Sequence, residues 1–227
     1  VMSKALGLGG MALLVAFVTG VASGTARAEP PALPPLAGAT EPRVEPVKGD
    51  DGLYHQSWFI ESFLDLKDDH AEAKSQGRRF AVIFEQRGCI YCTKMHKDVL
   101  SQRYINDYVR ENFSIVQLDL WGAREVTDFD GTRLTEKKLA ERWGVMFTPT
   151  IVFFKEDVAG QAGRWGAPLE IARLPLGFGP ATFIDLFGWI HARIYETDPN
   201  FQRFHVARMA ERDALKAPPA AAKDKIN

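Results

Sequence analysis

The fold of this chain is decided by the stretch Phe80-Ala-Val-Ile-Phe-Glu-Gln-Arg-Gly-Cys-Ile-Tyr-Cys-Thr-Lys-Met-His96. Its first part, Ala81 to Phe84, is a short apolar run typical of a strand that is covered on both faces. Residues 86–88 interrupt the run, and from Cys89 onward the apolar residues recur at helical spacing. The sequence therefore predicts a buried strand, a turn and a helix, with Cys89 and Cys92 where the helix begins.

The position of the two cysteines predicts thiol chemistry. At the first turn of a helix, unpaired N–H groups and the helix dipole stabilise negative charge, so a thiolate is favoured at Cys89. A thiolate attacks a disulfide and forms a mixed disulfide with it. Cys92 lies one turn further on the same face, where it can resolve that intermediate. We expect Cys89 to be the exposed, attacking thiol and Cys92 to be the buried, resolving one.

Composition and charge exclude several classes of protein. The chain has 227 residues, 46% hydrophobic and 25% charged, which fits one domain of ordinary size with tails. Its formal net charge of −1 gives no electrostatic case for binding nucleic acid or an anionic membrane surface. The chain has only 2 cysteines, too few for a disulfide framework.

The first 28 residues are predicted to be a signal peptide. Lys4 supplies the positive start, residues 5–21 form an apolar run, and Ala26-Arg27-Ala28 matches a cleavage site. No twin arginine precedes the run, so we expect export by the general secretory route to the periplasm, with no membrane insertion after cleavage. A retained membrane anchor is the alternative, because the run approaches the length of a short membrane span.

The rest of the chain is predicted to have four parts. Residues 29–52 contain six prolines and are expected to form a disordered spacer. The globular domain is expected at 53–197, followed by a C-terminal helix at 198–216 and a disordered tail at 217–227.

Hydrophobic periodicity and turn residues predict an α/β domain. Right-handed crossovers are expected to join the first three strands, and a hairpin across the glycine-rich turn at 160–166 adds the fourth. The result is a mixed central sheet of about four to five strands with helices on both faces. The predicted helices are 58–76, 89–100, 102–112, 135–143, 180–195 and one from 198; the predicted strands are 80–85, 114–120, 150–154 and 170–174, with a hairpin turn at Asp130-Gly131.

Four sequence patterns resemble those of a known family. The Cys-x-x-Cys at a strand-to-helix joint, followed by Trp143-Gly-Val-Met-Phe-Thr-Pro-Thr150 before a strand, resembles the thioredoxin superfamily over about residues 55–196. The patterns Phe-Glu-Gln-x-Gly-Cys-x-Tyr-Cys-x-x-Met-His at 84–96 and Asp-Leu-Trp-Gly-x-Arg-Glu-Val-Thr-Asp-Phe-Asp-Gly at 119–131 resemble the SoxW-type periplasmic thioredoxins of sulfur-oxidation clusters.

The resemblance implies a thioredoxin fold and a reductive thiol–disulfide oxidoreductase, which we expect to be a monomer. It implies a cis Thr148–Pro149 peptide beside the thiols, with Thr148 free to pair with an extended substrate. Ile90 and Tyr91 lie between the cysteines and are expected on the rim of the active site, where Tyr91 either forms part of a partner-docking surface or is exposed without a role. The resemblance also implies a membrane electron donor of the CcdA/DsbD type and a target that is a SoxY-type carrier or another periplasmic disulfide. The Cys89–Cys92 disulfide would be the redox centre, with no organic cofactor and no metal.

One departure from cytosolic thioredoxin suggests a proton acceptor. Ile83 stands six residues before the first cysteine, where thioredoxin has a buried aspartate, but Glu85 has the same strand parity. We therefore predict that Glu85 is the proton acceptor for Cys92. A glutamate that is exposed or at the edge of the sheet is the alternative.

Two other functions compete with a reductase. A DsbA-like oxidase or an isomerase uses the same thiols, and the Ile90-Tyr91 dipeptide does not fix the direction of electron flow. A non-catalytic module that binds Cu(I) through Cys89, Cys92 and His96 is the other alternative. Three candidate ligands are fewer than the four of a closed zinc site, but Cu(I) is less demanding.

Overall fold

A four-stranded mixed sheet lies at the centre of the computed structural model, which describes residues 31–158 and 166–216. Its strands lie in the order β2-β1-β3-β4 and are β1 (Arg79–Glu85), β2 (Phe113–Asp119), β3 (Thr150–Phe154) and β4 (Glu170–Pro175). β1 pairs in parallel with β2 and antiparallel with β3, which in turn pairs antiparallel with β4.

Helices cover both faces of this sheet. They are α1 (Leu66–Ser75), α2 (Ile90–Lys94), α3 (Arg103–Asn112), α4 (Glu136–Arg142), α5 (Gly166–Leu169), α6 (Pro180–His191) and α7 (Phe201–Lys216). A π-helical segment (Met95–Leu100) continues α2, and a short 3₁₀ helix (Ile194–Glu196) follows α6. This α/β arrangement is a thioredoxin-like fold with a C-terminal helix, which confirms the predicted fold class.

Two short ribbons lie outside the central sheet. Val47–Lys48 pairs with Tyr54–His55, and Glu125–Thr127 pairs with Arg133–Thr135. The second ribbon confirms the hairpin predicted at Asp130-Gly131. Gly131 has a φ of 83°, in the left-handed region that such a tight turn requires.

The alternation of side chains along β1 builds two cores, one on each face of the sheet. Phe80, Val82 and Phe84 pack with apolar residues of α1 and α4. Ala81 and Ile83 pack on the other face, with the π-helical segment, α3 and α6. Glu85 is next in this second series, so the strand directs its carboxylate under the helix that carries the cysteines.

The direction of β3 differs from the prediction. We expected right-handed crossovers to join the first three strands, but β3 runs antiparallel to β1. All five residues of β3 are buried and apolar or small. A strand that is buried on both faces has the same apolar pattern in either direction, so its periodicity does not specify how it pairs.

The first helix begins later than predicted. Only Leu66–Ser75 of the predicted 58–76 is helical. Asp65 caps the helix by accepting the backbone N–H groups of Lys67 and Asp68, and Leu64 before it has a φ of 63°. The apolar residues at 58–60 belong to an irregular segment, in which the Ile60 N–H donates to the carbonyl of Ile115 at 3.1 Å.

The proline-rich segment is also different from the prediction. The described part of this segment, residues 31–52, is not a free spacer, because it is hydrogen-bonded to α7 and packed against α6. Arg208 and Arg212 donate to the carbonyls of Pro34 and Leu36 at 2.6 and 2.8 Å. The Pro34 side chain is buried against Gly188 of α6. Proline composition indicates that a segment lacks internal hydrogen bonds, but it does not show whether another element supplies donors.

Several predictions fall on residues that are not described. The signal peptide, the tail at 217–227 and residues 159–165 of the glycine-rich turn lie outside the described residues. Within 31–158 and 166–216, no helix is long and apolar enough to cross a membrane.

Candidate active site

The two cysteines lie where β1 passes into α2. Cys89 is the residue that caps α2, and it forms a disulfide with Cys92. Gly88 makes the turn before it with a φ of 75°, a conformation that a side chain would strain. The Sγ atom of Cys89 accepts the backbone N–H of Cys92 at 3.0 Å. The predicted strand, turn and helix start are therefore all present at this joint.

Cys89 is less exposed than we predicted. Its exposed fraction is 8% and that of Cys92 is 3%, so Cys92 is the deeper thiol but Cys89 is also buried. The cause is the loop before β3, which lies over Cys89. The Thr148 hydroxyl donates to the Cys89 Sγ at 3.4 Å, and the Thr148 carbonyl oxygen lies 3.5 Å from the same sulfur.

The Thr148–Pro149 peptide bond is cis, as the resemblance implied. Pro149 leads directly into β3, and its carbonyl accepts the backbone N–H of Leu176 at 2.7 Å. This bond ties the loop to the end of β4. The loop that contacts Cys89 is therefore anchored on two strands of the central sheet.

An apolar groove lies beside Cys89. It has a volume of about 480 Å³, and its apolar lining includes Ile90, Tyr91, Trp121, Met146, Phe147 and Leu176. All six of these side chains are exposed, from 44% for Leu176 to 75% for Met146. Ile90 and Tyr91 thus take the rim positions predicted for them, whereas the other four were not predicted as site residues. Their sequence signal is weak because an exposed aromatic residue has the same local pattern as a buried one.

Trp121 is held in the wall of this groove. Its Nε1–H donates to Gln86 Oε1 at 2.7 Å, and Lys137 Nζ lies 5.1 Å from the centre of its ring. The loop that carries it is fixed by the buried Glu136, which accepts the backbone N–H groups of Asp119 and Arg124. The 119–131 segment therefore places an aromatic side chain in the groove beside Cys89.

Glu85 lies on the inner side of the cysteines and is fully buried, with an exposed fraction of 0%. The alternative of an exposed or edge glutamate is therefore wrong. Its Oε1 accepts from His96 Nε2 at 2.8 Å, and its Oε2 has no hydrogen-bond partner among the described residues. Glu85, Cys89 and Cys92 line the same cavity of about 110 Å³. Glu85 and the resolving Cys92 thus line one small cavity.

Sequence reasoning missed two buried polar residues behind Glu85. Gln56 Nε2 lies 3.1 Å from His96 Nδ1, and Asn106 Nδ2 donates to Gln56 Oε1 at 3.0 Å. Gln56 comes from the irregular segment before α1 and Asn106 from α3. The only signal was His96 itself, a polar residue four positions after Cys92 on the inner face of the helix.

His96 is not placed to bind a metal together with the two cysteines. Both of its ring nitrogens are in hydrogen bonds, one with Glu85 and one with Gln56. Within the described residues, no group of three or more His, Cys, Asp and Glu side chains is placed to hold a metal ion. A copper site would therefore have to use the two thiols without the histidine.

Residues 66–165 match the sequence profile of a thioredoxin-like domain. The match includes β1, the two cysteines and the cis proline loop, so the site described above lies inside it. A comparison with curated proteins gives no match.

Solved structures with a thioredoxin fold are similar to this chain at low identity. A thioredoxin-fold protein from Helicobacter pylori is 20% identical, with a TM-score of 0.49, over 66% of this chain and 99% of that one. A thioredoxin from Thermus thermophilus is 25% identical, with a TM-score of 0.42, over 56% and 83%. The C-terminal domain of Neisseria meningitidis DsbD is 16% identical, with a TM-score of 0.35, over 53% and 87%.

Proposed function

We propose that this protein is a periplasmic thiol–disulfide oxidoreductase that works as a reductase. The observation that carries the proposal is the Cys89–Cys92 disulfide at the start of α2, with Thr148 of a cis proline loop against the Cys89 sulfur. Two donors are in place for a Cys89 thiolate: the backbone N–H of Cys92 and the Thr148 hydroxyl. Hydrogen bonds to a charged acceptor are the stronger kind, so these donors favour the reactive form of the thiol.

The reaction begins with the reduced dithiol. The Cys89 thiolate attacks one sulfur of a target disulfide, forms a mixed disulfide and releases the other target sulfur as a thiolate. Cys92 loses its proton and attacks the Cys89 sulfur, which expels the second target sulfur. The target gains two electrons and the protein is left with the Cys89–Cys92 disulfide. A membrane dithiol of the CcdA/DsbD type would restore the reduced form.

The deprotonation of Cys92 is assigned to Glu85. A buried thiol must lose its proton before it can attack, and Glu85 lines the cavity that Cys92 also lines. Its Oε2 is free of partners among the described residues, so it can receive the proton. Glu85→Gln keeps the size of the side chain and removes this acceptor. We expect the second step to slow by about 100-fold, in the range found for general bases.

The apolar groove supports a protein target. Six exposed apolar side chains around one buried sulfur favour an extended segment with apolar side chains over a small charged thiol. The 119–131 segment, which resembles SoxW-type thioredoxins, supplies Trp121 to this groove. This placement supports a SoxW-type role in which the target is a SoxY-type carrier with a disulfide or persulfide-type bond.

A redox titration tests the direction of electron flow. The protein, produced from the full chain and purified from the periplasm of a bacterial host, is equilibrated with glutathione buffers. A potential of about −270 mV supports a reductase, and one of about −120 mV supports a DsbA-like oxidase instead. Cys89→Ser is the control that must abolish reduction of insulin disulfides, and activity that survives in this variant contradicts the proposed chemistry.

A trapping experiment tests the target. Cys92→Ser leaves Cys89 able to form the mixed disulfide but removes the thiol that resolves it. Recovery of a sulfur-carrier protein in the trapped complex supports the SoxW-type role. Recovery of other periplasmic proteins alone contradicts that role and leaves the thiol chemistry standing.

Titration of the reduced protein with Cu(I) tests the binding-module alternative, which requires tight binding in a protein that does not reduce insulin.

A further inference from the structure

Four buried side chains form a hydrogen-bonded chain that ends at the active-site cavity. Glu85 Oε1 is 2.8 Å from His96 Nε2, His96 Nδ1 is 3.1 Å from Gln56 Nε2, and Gln56 Oε1 is 3.0 Å from Asn106 Nδ2. None of the four is more than 3% exposed. We call this set the buried relay. Its members come from β1, the π-helical segment, the irregular segment before α1, and α3.

The far end of the buried relay fixes the direction of every hydrogen bond in it. Asn106 Nδ2 also donates to the backbone carbonyl of Leu100 at 2.9 Å, and a carbonyl oxygen can only accept. The Asn106 amide therefore presents N–H groups to both partners, and Gln56 must accept with its oxygen. The Gln56 NH₂ group then donates to His96 Nδ1. That nitrogen carries no proton, so Nε2 carries it and donates to Glu85.

The direction of these hydrogen bonds decides which oxygen of Glu85 can take up a proton. Since His96 donates to Oε1, that oxygen is occupied as an acceptor and the rotamer of Glu85 is held. A second proton on the imidazole would have to sit on Nδ1, where it would face the Gln56 N–H. The buried relay therefore opposes transfer of the proton to His96. It leaves Oε2 of Glu85 as the position where a proton can arrive.

We propose that His96 is a positioning residue for proton transfer from Cys92, and that Gln56 and Asn106 hold it in the required tautomer. This inference rests on the proposed function. The Cys92 S–H bond breaks, its proton moves to Glu85 Oε2, and the sulfur retains the electron pair with which it attacks Cys89. The small cavity is partly open and the exposed Lys48 also lines it, so we assign the exit of the proton to this cavity.

The test separates the two chemical steps. Stopped-flow mixing with a fluorescent disulfide peptide measures the attack by Cys89 and the later release of the second thiol, which requires Cys92. His96→Leu removes the donor to Glu85. We expect the second step to slow by about 10- to 100-fold while the first step changes less than about twofold. A variant in which both steps change equally, or in which neither changes, overturns the proposal.

Conservative variants distinguish positioning from packing. His96→Gln keeps an N–H at the distance of Nε2, so it is expected to restore the second step to within about fivefold of the wild type. Gln56→Leu leaves Glu85 and His96 intact but removes the group that fixes the tautomer, and it is expected to slow only the second step, by about 3- to 10-fold. If His96→Leu does not fold, these two variants decide the matter: a Gln56→Leu protein with an unchanged second step overturns the proposal.

A matched control uses the other buried histidine of the domain. His70 is 4% exposed and its Nε2 bonds to the carbonyl of Lys155, away from the cysteines. His70→Leu is expected to change neither step selectively.

In a Glu85→Gln background, His96→Leu is expected to have no further effect on the second step, and an additive loss contradicts the relay. If the wild type itself reduces no disulfide, the proposed function fails; if it does and the His96 variants match it, only the relay fails.

Discussion

Two buried carboxylates of this molecule have opposite surroundings. Asp185 on α6 is 0% exposed and both of its oxygens are hydrogen-bonded, by Arg212, Arg208 and His205 of α7. Glu85 is equally buried, but only one of its oxygens has a partner among the described residues. A buried polar group that is left half satisfied costs free energy. The comparison indicates that Asp185 holds the structure together and that Glu85 is kept available for chemistry.

The Asp185 cluster joins three separate parts of the chain. Arg212 and Arg208 bind Asp185 on one side and the carbonyls of Leu36 and Pro34 on the other. α7 and the proline-rich segment are thus fixed to α6 through one carboxylate. Burial by itself would raise the pKa of Asp185, but the hydrogen bonds from Arg212 and His205 outweigh it and the pKa is lowered. The cluster is therefore expected to be lost only as the pH falls below the usual range for aspartate.

The largest expected effect comes from breaking this cluster. Asp185→Ala leaves Arg208 and Arg212 buried without their common carboxylate, which typically costs about 3–5 kcal/mol. Urea unfolding measures the free energy, and the rates of both thiol steps in the remaining folded protein should not change. Asp213→Ala is the control, since Asp213 is exposed and pairs only with Lys216 among the contacts seen. A loss below about 1 kcal/mol for Asp185→Ala would contradict the assigned role.

A smaller effect is expected where the proline-rich segment meets α6. A Cβ atom on Gly188 would lie 2.4 Å from Cδ of Pro34, too close for any real contact. Overpacking costs about 1–3 kcal/mol, and the better helix propensity of alanine returns about 0.5–1 kcal/mol. We expect Gly188→Ala to destabilise the protein by about 1–2 kcal/mol and to expose residues 31–40 to proteases.

The control for this substitution is Gly179→Ala. Apart from Gly179 and its two chain neighbours, no atom of the described residues lies within 4 Å of the Cβ position at Gly179, so only the change of helix cap is expected, about 0.5 kcal/mol. Cleavage patterns by limited proteolysis, compared at equal fractions of folded protein, identify the released segment. Unchanged protection of the segment in Gly188→Ala would show that its contact with α6 is dispensable.

The same two regions show how much can be predicted from sequence. β1, the turn at Gly88 and the cysteines at the start of α2 were predictable, because each follows from neighbours within a few residues. The face on which Glu85 lies was also predictable, from strand parity alone. The hydrogen-bonded chain behind Glu85 was not, since His96, Gln56 and Asn106 come together only after three other segments have packed.

The cluster of Asp185 with Arg208, Arg212 and His205 was even less predictable from sequence. The contacts from Arg208 and Arg212 to Pro34 and Leu36 join residues 174 and 176 positions apart, and no local pattern links them. The late start of α1 has a local cause that a pattern search overlooked: the cap at Asp65 competes with the apolar spacing at 58–64. Periodicity therefore predicted the elements, and tertiary contacts decided which polar groups became satisfied.

Asp69 sharpens the comparison, because it is a half-buried carboxylate that lies away from the thiols and accepts one hydrogen bond, from Ser62 at 2.5 Å. Burial raises its pKa to about 6, although the Ser62 hydrogen bond acts in the opposite direction. The native state then binds a proton more tightly than the unfolded chain does, so this group favours folding at low pH. Its contribution is lost as the pH rises from about 4 to 6.

The smallest expected effect is therefore the removal of this charge. Asp69→Asn should be more stable than the wild type at pH 7, by about 1 kcal/mol after allowance for solvent screening, and the advantage should shrink toward pH 4. Ser62→Ala removes the hydrogen bond that lowers the pKa, so its stability should fall more steeply with pH than that of the wild type. Urea unfolding of the three proteins from pH 4 to pH 7 measures both slopes. Parallel curves would mean that burial of this carboxylate has no cost at this position, and the cost assigned to the half-satisfied Glu85 would lose this support.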